Sequence, residues 1–92
     1  MEQLSQRYER AKALREAELG DELVALDPED GNCLGFNSVA ASVWTLLAQP
    51  KTFDLLRDDV MEKYEVDAAT CERDLRDLLA DLEARGLVRK CA

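Results

Sequence analysis

Three thiols and twenty carboxylates are the side chains of this sequence with chemical potential, and their surroundings argue against most of it. Cys33, Cys71 and Cys91 include no C-x-x-C pair that would seed a zinc site or a redox dithiol, and an odd number cannot all pair within one chain. Histidine is absent, which removes the commonest general base and the commonest metal ligand together. Cys71 therefore has no activating partner, and Glu72, Asp74 and Asp77 nearby in sequence raise a thiol pKa rather than lower it. Cys71 and Cys33 read as small buried apolar residues, and Cys91 as an exposed thiol near the chain end. Free thiols suit a reducing cytosol. The acidic pairs Asp58-Asp59 and Asp27/Glu29/Asp30 lie among polar residues, without the desolvation that makes a carboxyl a working acid. The run Asp27-Pro28-Glu29-Asp30-Gly31 lacks the frame of a calcium loop and has Pro and Gly where a turn needs them. No catalytic residue, no metal and no cofactor is expected.

The 92 residues suffice for one small domain with a shallow binding surface rather than a deep cavity. The net charge of −8 falls entirely on residues 21–92, because residues 1–20 hold four charges of each sign. Such a body repels phosphate backbones, so generic nucleic-acid binding is disfavoured. The charged N-terminus has no apolar signal region, and Cys33 to Pro50 is too polar and too short to span a bilayer. A soluble, cytoplasmic protein without membrane partners is expected.

The elements that must position any site follow from periodicity. Residues 1–11 are polar, with Leu4, Tyr8 and Ala11 at helical spacing, and read as a frayed helix or a disordered tail ahead of a domain over residues 12–90. Residues 12–26 read as two short strands joined at Gly20-Asp21, although helix propensity competes in the first. The turn at 27–31 feeds a strand Asn32–Phe36, with Leu34 and Phe36 on a packed side and Cys33 and Gly35 on the other. The period then changes to that of helices. Asn37 or Ser38 caps the first, with Val39, Ala40, Val43, Trp44 and Leu47 as its stripe, so Trp44 reads as core. Thr52 caps a second helix carrying Phe53, Leu56, Val60, Met61 and Tyr64. Asp67 caps a third with Cys71, Leu75, Leu78, Leu79 and Leu82, stopped at Gly86, after which Leu87 and Val88 pack back on the core. The fold class is α+β: a winged helix-turn-helix, with a three-stranded antiparallel sheet followed by three helices.

Such a fold often reads DNA, but a recognition helix over residues 68–85 would carry five carboxylates against three arginines. The strand Asn32–Phe36 becomes an edge if the two strands before it pair as a hairpin. It carries neither the Lys nor the Pro that usually blunts an edge, so it is either merely short or able to take an extended peptide as an extra strand.

The run GDELVALDPEDGNCLGFNSVAASVWTLL resembles the PqqD family. The likeness continues through Thr52-Phe53-Asp54-Leu55-Leu56, Tyr64-Glu65-Val66-Asp67, Glu72-Arg73-Asp74-Leu75 and Leu82-Glu83-Ala84-Arg85-Gly86-Leu87-Val88, and covers roughly residues 12–90. Cys33-Leu34 stands where that family favours aromatic residues, and Ala41 where a Gly is often found, differences that bear on which peptide is preferred. The resemblance implies a recognition element for ribosomally synthesised and post-translationally modified peptides (RiPPs). Such an element is a non-enzymatic chaperone that binds the leader segment of a precursor peptide by strand addition and delivers it to modifying enzymes. The implied peptide-binding residues are Asn32, Cys33, Leu34, Gly35 and Phe36 on the strand and Cys71, Arg73, Asp74, Leu75 and Leu78 on the third helix. The implied partners are the leader peptide and a modifying enzyme, such as the leader peptidase and cyclase of lasso peptide biosynthesis or the radical SAM enzyme of a PQQ-type pathway. The rival readings are a winged-helix DNA-binding regulator and a self-assembling structural subunit.

Overall fold

The computed structural model describes residues 5–20 and 22–91; Leu4 and Asp21, which entered the expectations above, lie outside them. Strands β1 (Arg7–Arg10), β2 (Arg15–Leu19), β3 (Glu22–Leu26) and β4 (Cys33–Phe36) precede helix α1 (Ser38–Leu46). Strand β5 (Lys51–Thr52), helices α2 (Phe53–Tyr64) and α3 (Ala68–Ala84), and strand β6 (Val88–Cys91) complete the chain.

Two antiparallel three-stranded sheets result, ordered β2-β3-β4 and β5-β1-β6. The first is the expected sheet, followed by the three expected helices. The second replaces, over Arg7–Arg10, the expected tail or frayed helix of residues 1–11 with a strand, since Arg7 pairs with both Thr52 and Cys91. Its cause is Tyr8, buried as the apolar residue of an otherwise polar strand and held by partners from the far end of the chain. Leu87 and Val88 are buried as expected, and the segment after them goes on as β6.

The caps follow the chemistry of their residues. The Asn37 Oδ1 accepts from the Ala40 N–H at 2.9 Å and the Asp67 Oδ2 from the Thr70 N–H at 3.1 Å, satisfying amides that a helix start leaves unpaired. Thr52 stands at the start of α2 but its hydroxyl donates to the Asp54 carboxylate instead of accepting from an amide. Gly86 stops α3 with φ 74°, a conformation cheap only for glycine. In the turn at 27–31, the Asp27 Oδ1 takes the Glu29 N–H at 2.9 Å and its Oδ2 takes the Lys12 ammonium at 2.6 Å, so the buried carboxylate is fully employed. Turn chemistry accounts for the acidic run.

Trp44 is the centre of the core, completely buried as expected. Its indole N–H donates to Glu16 Oε2 at 2.8 Å, and the Arg10 guanidinium lies 4.3 Å above its ring while donating to its backbone oxygen at 2.6 Å. The Phe36 ring lies 5.7 Å away, tilted by 40°. One side chain thus ties β1, β2, β4 and α1 together.

These contacts give stability a definite pH dependence. Lys12 beside Asp27, the Thr52 hydroxyl beside Asp54 and the Thr70 hydroxyl and amide at Asp67 hold three carboxyls below the usual carboxylate range. A carboxyl lowered by folding stabilises the native state above its unfolded value and loses that contribution as pH falls through the folded one. Thermal melts should therefore show a steady midpoint down to about pH 5 and a fall below about pH 4. An Asp27→Asn variant should start lower at neutral pH and lose less on acidification; equal acid sensitivity would remove Asp27 from the account.

Candidate functional site

Strand β4 is the border of its sheet among the described residues, with β3 on one side and no strand on the other. Its register with β3 sets Leu23 opposite Phe36, Val24 opposite Gly35, Ala25 opposite Leu34 and Leu26 opposite Cys33. Beyond them, the Asp27 N–H donates to the Asn32 carbonyl at 2.9 Å, which makes these two residues a hydrogen-bonded pair. In an antiparallel ladder such pairs alternate with non-bonded ones. Leu34 and Phe36 therefore spend their backbone groups on β3, the Asn32 carbonyl accepts from Asp27 while its N–H donates to Asp30 Oδ1 at 2.9 Å, and Cys33 and Gly35 point their backbone groups outward. The sequence left open which alternate set is free; the register decides it.

The opposite border differs. By the same alternation, Leu19, Ala17 and Arg15 of β2 face β3, and Glu16 and Glu18 turn their backbone groups out. A guest strand there would run beside carboxylates on β2, whereas β4 offers Cys33, Leu34, Gly35 and Phe36, which carry no charge. Space is open above Gly35, where an added Cβ would meet no heavy atom within 4 Å.

The side chains of β4 divide as expected, with Phe36 buried, Leu34 half-buried and Gly35 exposed. Cys33 corrects its expected burial: its face of the sheet has no covering layer, and the thiol is exposed. Cys91 is half-buried rather than exposed because β6 pairs with β1, and burial pushes its thiol pKa up.

On α3 the structure separates residues that sequence periodicity grouped. Cys71 and Leu75 are 2% and 3% exposed, members of the core rather than sockets open to a ligand. The Cys71 Sγ–H donates to the Arg57 carbonyl at 3.6 Å, and burial pushes its pKa up, so the thiol is inert. Leu78 lies at the rim of the core, half-buried, as does Leu34 of β4. Arg73 and Asp74 are exposed and paired with each other at 3.7 Å. Of the ten expected residues, the free backbone of Cys33 and Gly35, the apolar rim of Leu34 and Leu78, the charged pair Arg73–Asp74 and the exposed Asn32 are surface-accessible; Phe36, Cys71 and Leu75 are buried within the fold.

Among the described residues no group of His, Cys, Asp or Glu is arranged to hold a metal ion, and no helix is long and apolar enough to cross a membrane. The arrangement can take up main chain at an edge and apolar side chains beside it.

The family model described as coenzyme PQQ synthesis protein D (PqqD) matches residues 22–88. The structure of TbiB1 in complex with the TbiA(beta) leader peptide has 33% identity and a TM-score of 0.78, covering 91% of this chain and 98% of that one. The solution structure of the PqqD truncation of Methylobacterium extorquens PqqCD, described as a functional and stand-alone RiPP recognition element, has 20% identity and a TM-score of 0.71 over 90% of this chain and 88% of that one; it shares the fold. The curated proteins contain no match.

Proposed function

We propose, from the premise that this chain belongs to the PqqD family, that it is a RiPP recognition element which takes the leader segment of a precursor peptide as an additional strand along β4. The observation that carries the reading is the uncharged border of β4, where the N–H and C=O groups of Cys33 and Gly35 face outward beside the half-buried Leu34. TbiB1, the 33% identical protein of known structure, was solved with a leader peptide bound.

In this reading each group has a distinct part. Backbone bonds to Cys33 and Gly35 supply sequence-tolerant affinity, and Leu34 and Leu78 receive apolar anchors of the leader. The exposed Arg73–Asp74 pair sets the register by charge. Phe36, packed on Trp44, holds the strand flat from beneath, and Cys71 and Leu75 fix α3 at its distance. No step of bond making or breaking is assigned to the chain. It binds, and an enzyme that modifies the peptide does the chemistry. Holding both would raise the local peptide concentration to roughly the millimolar range of a short tether.

Titration with the precursor leader encoded beside this chain's gene, followed by amide shifts, tests the reading. The amides of Cys33 and Gly35 should move most, with smaller shifts at Asp74 and Leu78. Shifts confined to residues outside 32–36 and 73–78 would overturn the site.

A further inference from the structure

A groove of about 840 Å³ lies away from the edge described above: none of its lining residues belongs to β4 or α3. Glu18, Gly20 and Glu22 at the β2–β3 turn form one wall, Ala41, Ser42 and Leu46 of α1 the floor, and Asp59, Glu62 and Lys63 of α2 the other wall. The floor is held in place by a directed chain of hydrogen bonds. Tyr64 Oη donates to the Ser38 carbonyl at 2.9 Å, which leaves the Ser42 hydroxyl to donate to Tyr64 at 2.9 Å and to accept from Lys63 Nζ at 3.1 Å. Ser42 has no proton left to give and accepts from Lys63 rather than donating to it, so the trio is structural and not a nucleophile with its base.

The groove is distinguished by how its charges are left. Glu9, Glu16, Asp27, Glu29, Asp58, Glu72, Asp74 and Asp81 each face an arginine or lysine. Asp30, Asp54 and Asp67 accept hydrogen bonds from nearby backbone or hydroxyl groups. Glu18, Glu22, Asp59 and Glu62 have neither kind of partner among the described residues, and all four line this one groove. Elsewhere only Glu65, Asp77 and Glu83 share that condition. Between these walls the groove offers the half-buried apolar side chains of Ala41 and Leu46. A concave surface with apolar Ala41 and Leu46 between walls that carry four carboxylates against the single Lys63 fits one kind of occupant: a polypeptide segment carrying arginine or lysine beside an apolar residue.

We propose that this groove is a second docking surface, which receives a cationic amphipathic segment of a partner protein while β4 holds the peptide. The identification of that partner as the enzyme acting on the peptide rests on the family reading; the site and the charge of its occupant rest on the groove alone. Because the two surfaces share no residue, both can be filled at once.

The test uses the full chain and a synthetic helical peptide of arginine, leucine and alanine, with its glutamate counterpart as control. Amide shifts should gather at Ala41, Ser42, Thr45, Leu46 and 59–63 with the cationic peptide and be absent with the anionic one. Neutralising the groove by Glu18→Gln, Glu22→Gln, Asp59→Asn and Glu62→Gln should weaken binding about tenfold or more, a free-energy loss of about 1.4 kcal/mol. Neutralising Glu65, Asp77 and Glu83 in the same way should change it by less than about twofold. Leader-induced shifts at Cys33 and Gly35 should survive in both variants, which separates failure here from failure of the edge reading. Shifts spread over all acidic faces, or equal weakening in the two variants, would overturn the proposal. Displacement of the leader by the cationic peptide would overturn simultaneous occupancy.

Discussion

Replacing Gly35 with proline should abolish most leader binding while leaving the fold intact. The Gly35 N–H points away from β3, so a proline there removes no bond of the β3–β4 ladder, and edge strands tolerate proline on their solvent side. The residue before it, Leu34, is already extended, as a residue preceding proline prefers to be. A guest strand would lose its donor at that point and meet the ring where its own carbonyl should lie. Leaving a buried carbonyl without its partner costs about 1–3 kcal/mol, a loss of roughly 5- to 150-fold in affinity. Gly35→Ala retains the donor and places its Cβ in open space, so it should bind nearly as well as the parent. Leu34→Pro, in contrast, removes a ladder donor and should unfold the sheet. Calorimetric titration with the leader and a thermal melt of each variant decide the matter; unchanged affinity in a folded Gly35→Pro protein would rule out strand addition at β4.

The largest stability effect should come from Trp44→Ala. Removing a fully buried tryptophan costs about 3–5 kcal/mol, against about 5–15 kcal/mol for the whole of a typical domain. At roughly 4–8 °C per kcal/mol for a chain of this size, the melting midpoint should fall by more than about 12 °C. Beyond the void, the substitution takes from Glu16 its indole donor, from Arg10 its aromatic platform and from Phe36 its ring neighbour. Trp44→Phe keeps most of the volume but loses the N–H and part of the ring system, so it should cost clearly less than Trp44→Ala. If the two variants melted together, the hydrogen bond to Glu16 rather than packing would be the dominant contribution.

Much of this architecture is legible in the sequence because it is local. The alternation of Leu34 and Phe36, the caps at Asn37 and Asp67, and the stop at Gly86 each rest on residues a few positions apart. The sheet of β5, β1 and β6 escapes that reading because β5 has two residues and the partner of Arg7 is Cys91, so no short window contains the pairing. The same reason explains Tyr8, whose helical spacing to Ala11 is accidental. On α3, helical periodicity puts Cys71, Leu75 and Leu78 in one stripe but does not say which lie at its centre and which at its rim; the packing of neighbouring elements decides that. The free set on β4 was open because parity is fixed by the hydrogen bond from Asp27 to Asn32, not by side-chain type. The groove was invisible since uncompensated charge is defined by what does not come near.

The unequal borders of the β2-β3-β4 sheet also limit how far copies of the chain can accumulate. Should two molecules meet β4 to β4, they would form one continuous sheet whose outer margins are both β2, lined by Glu16 and Glu18. A further molecule would have to set like charges face to face, which is unfavourable. Growth would therefore terminate at a pair and not run on into filaments, and the leader, by claiming the same margin, would return the pair to single molecules.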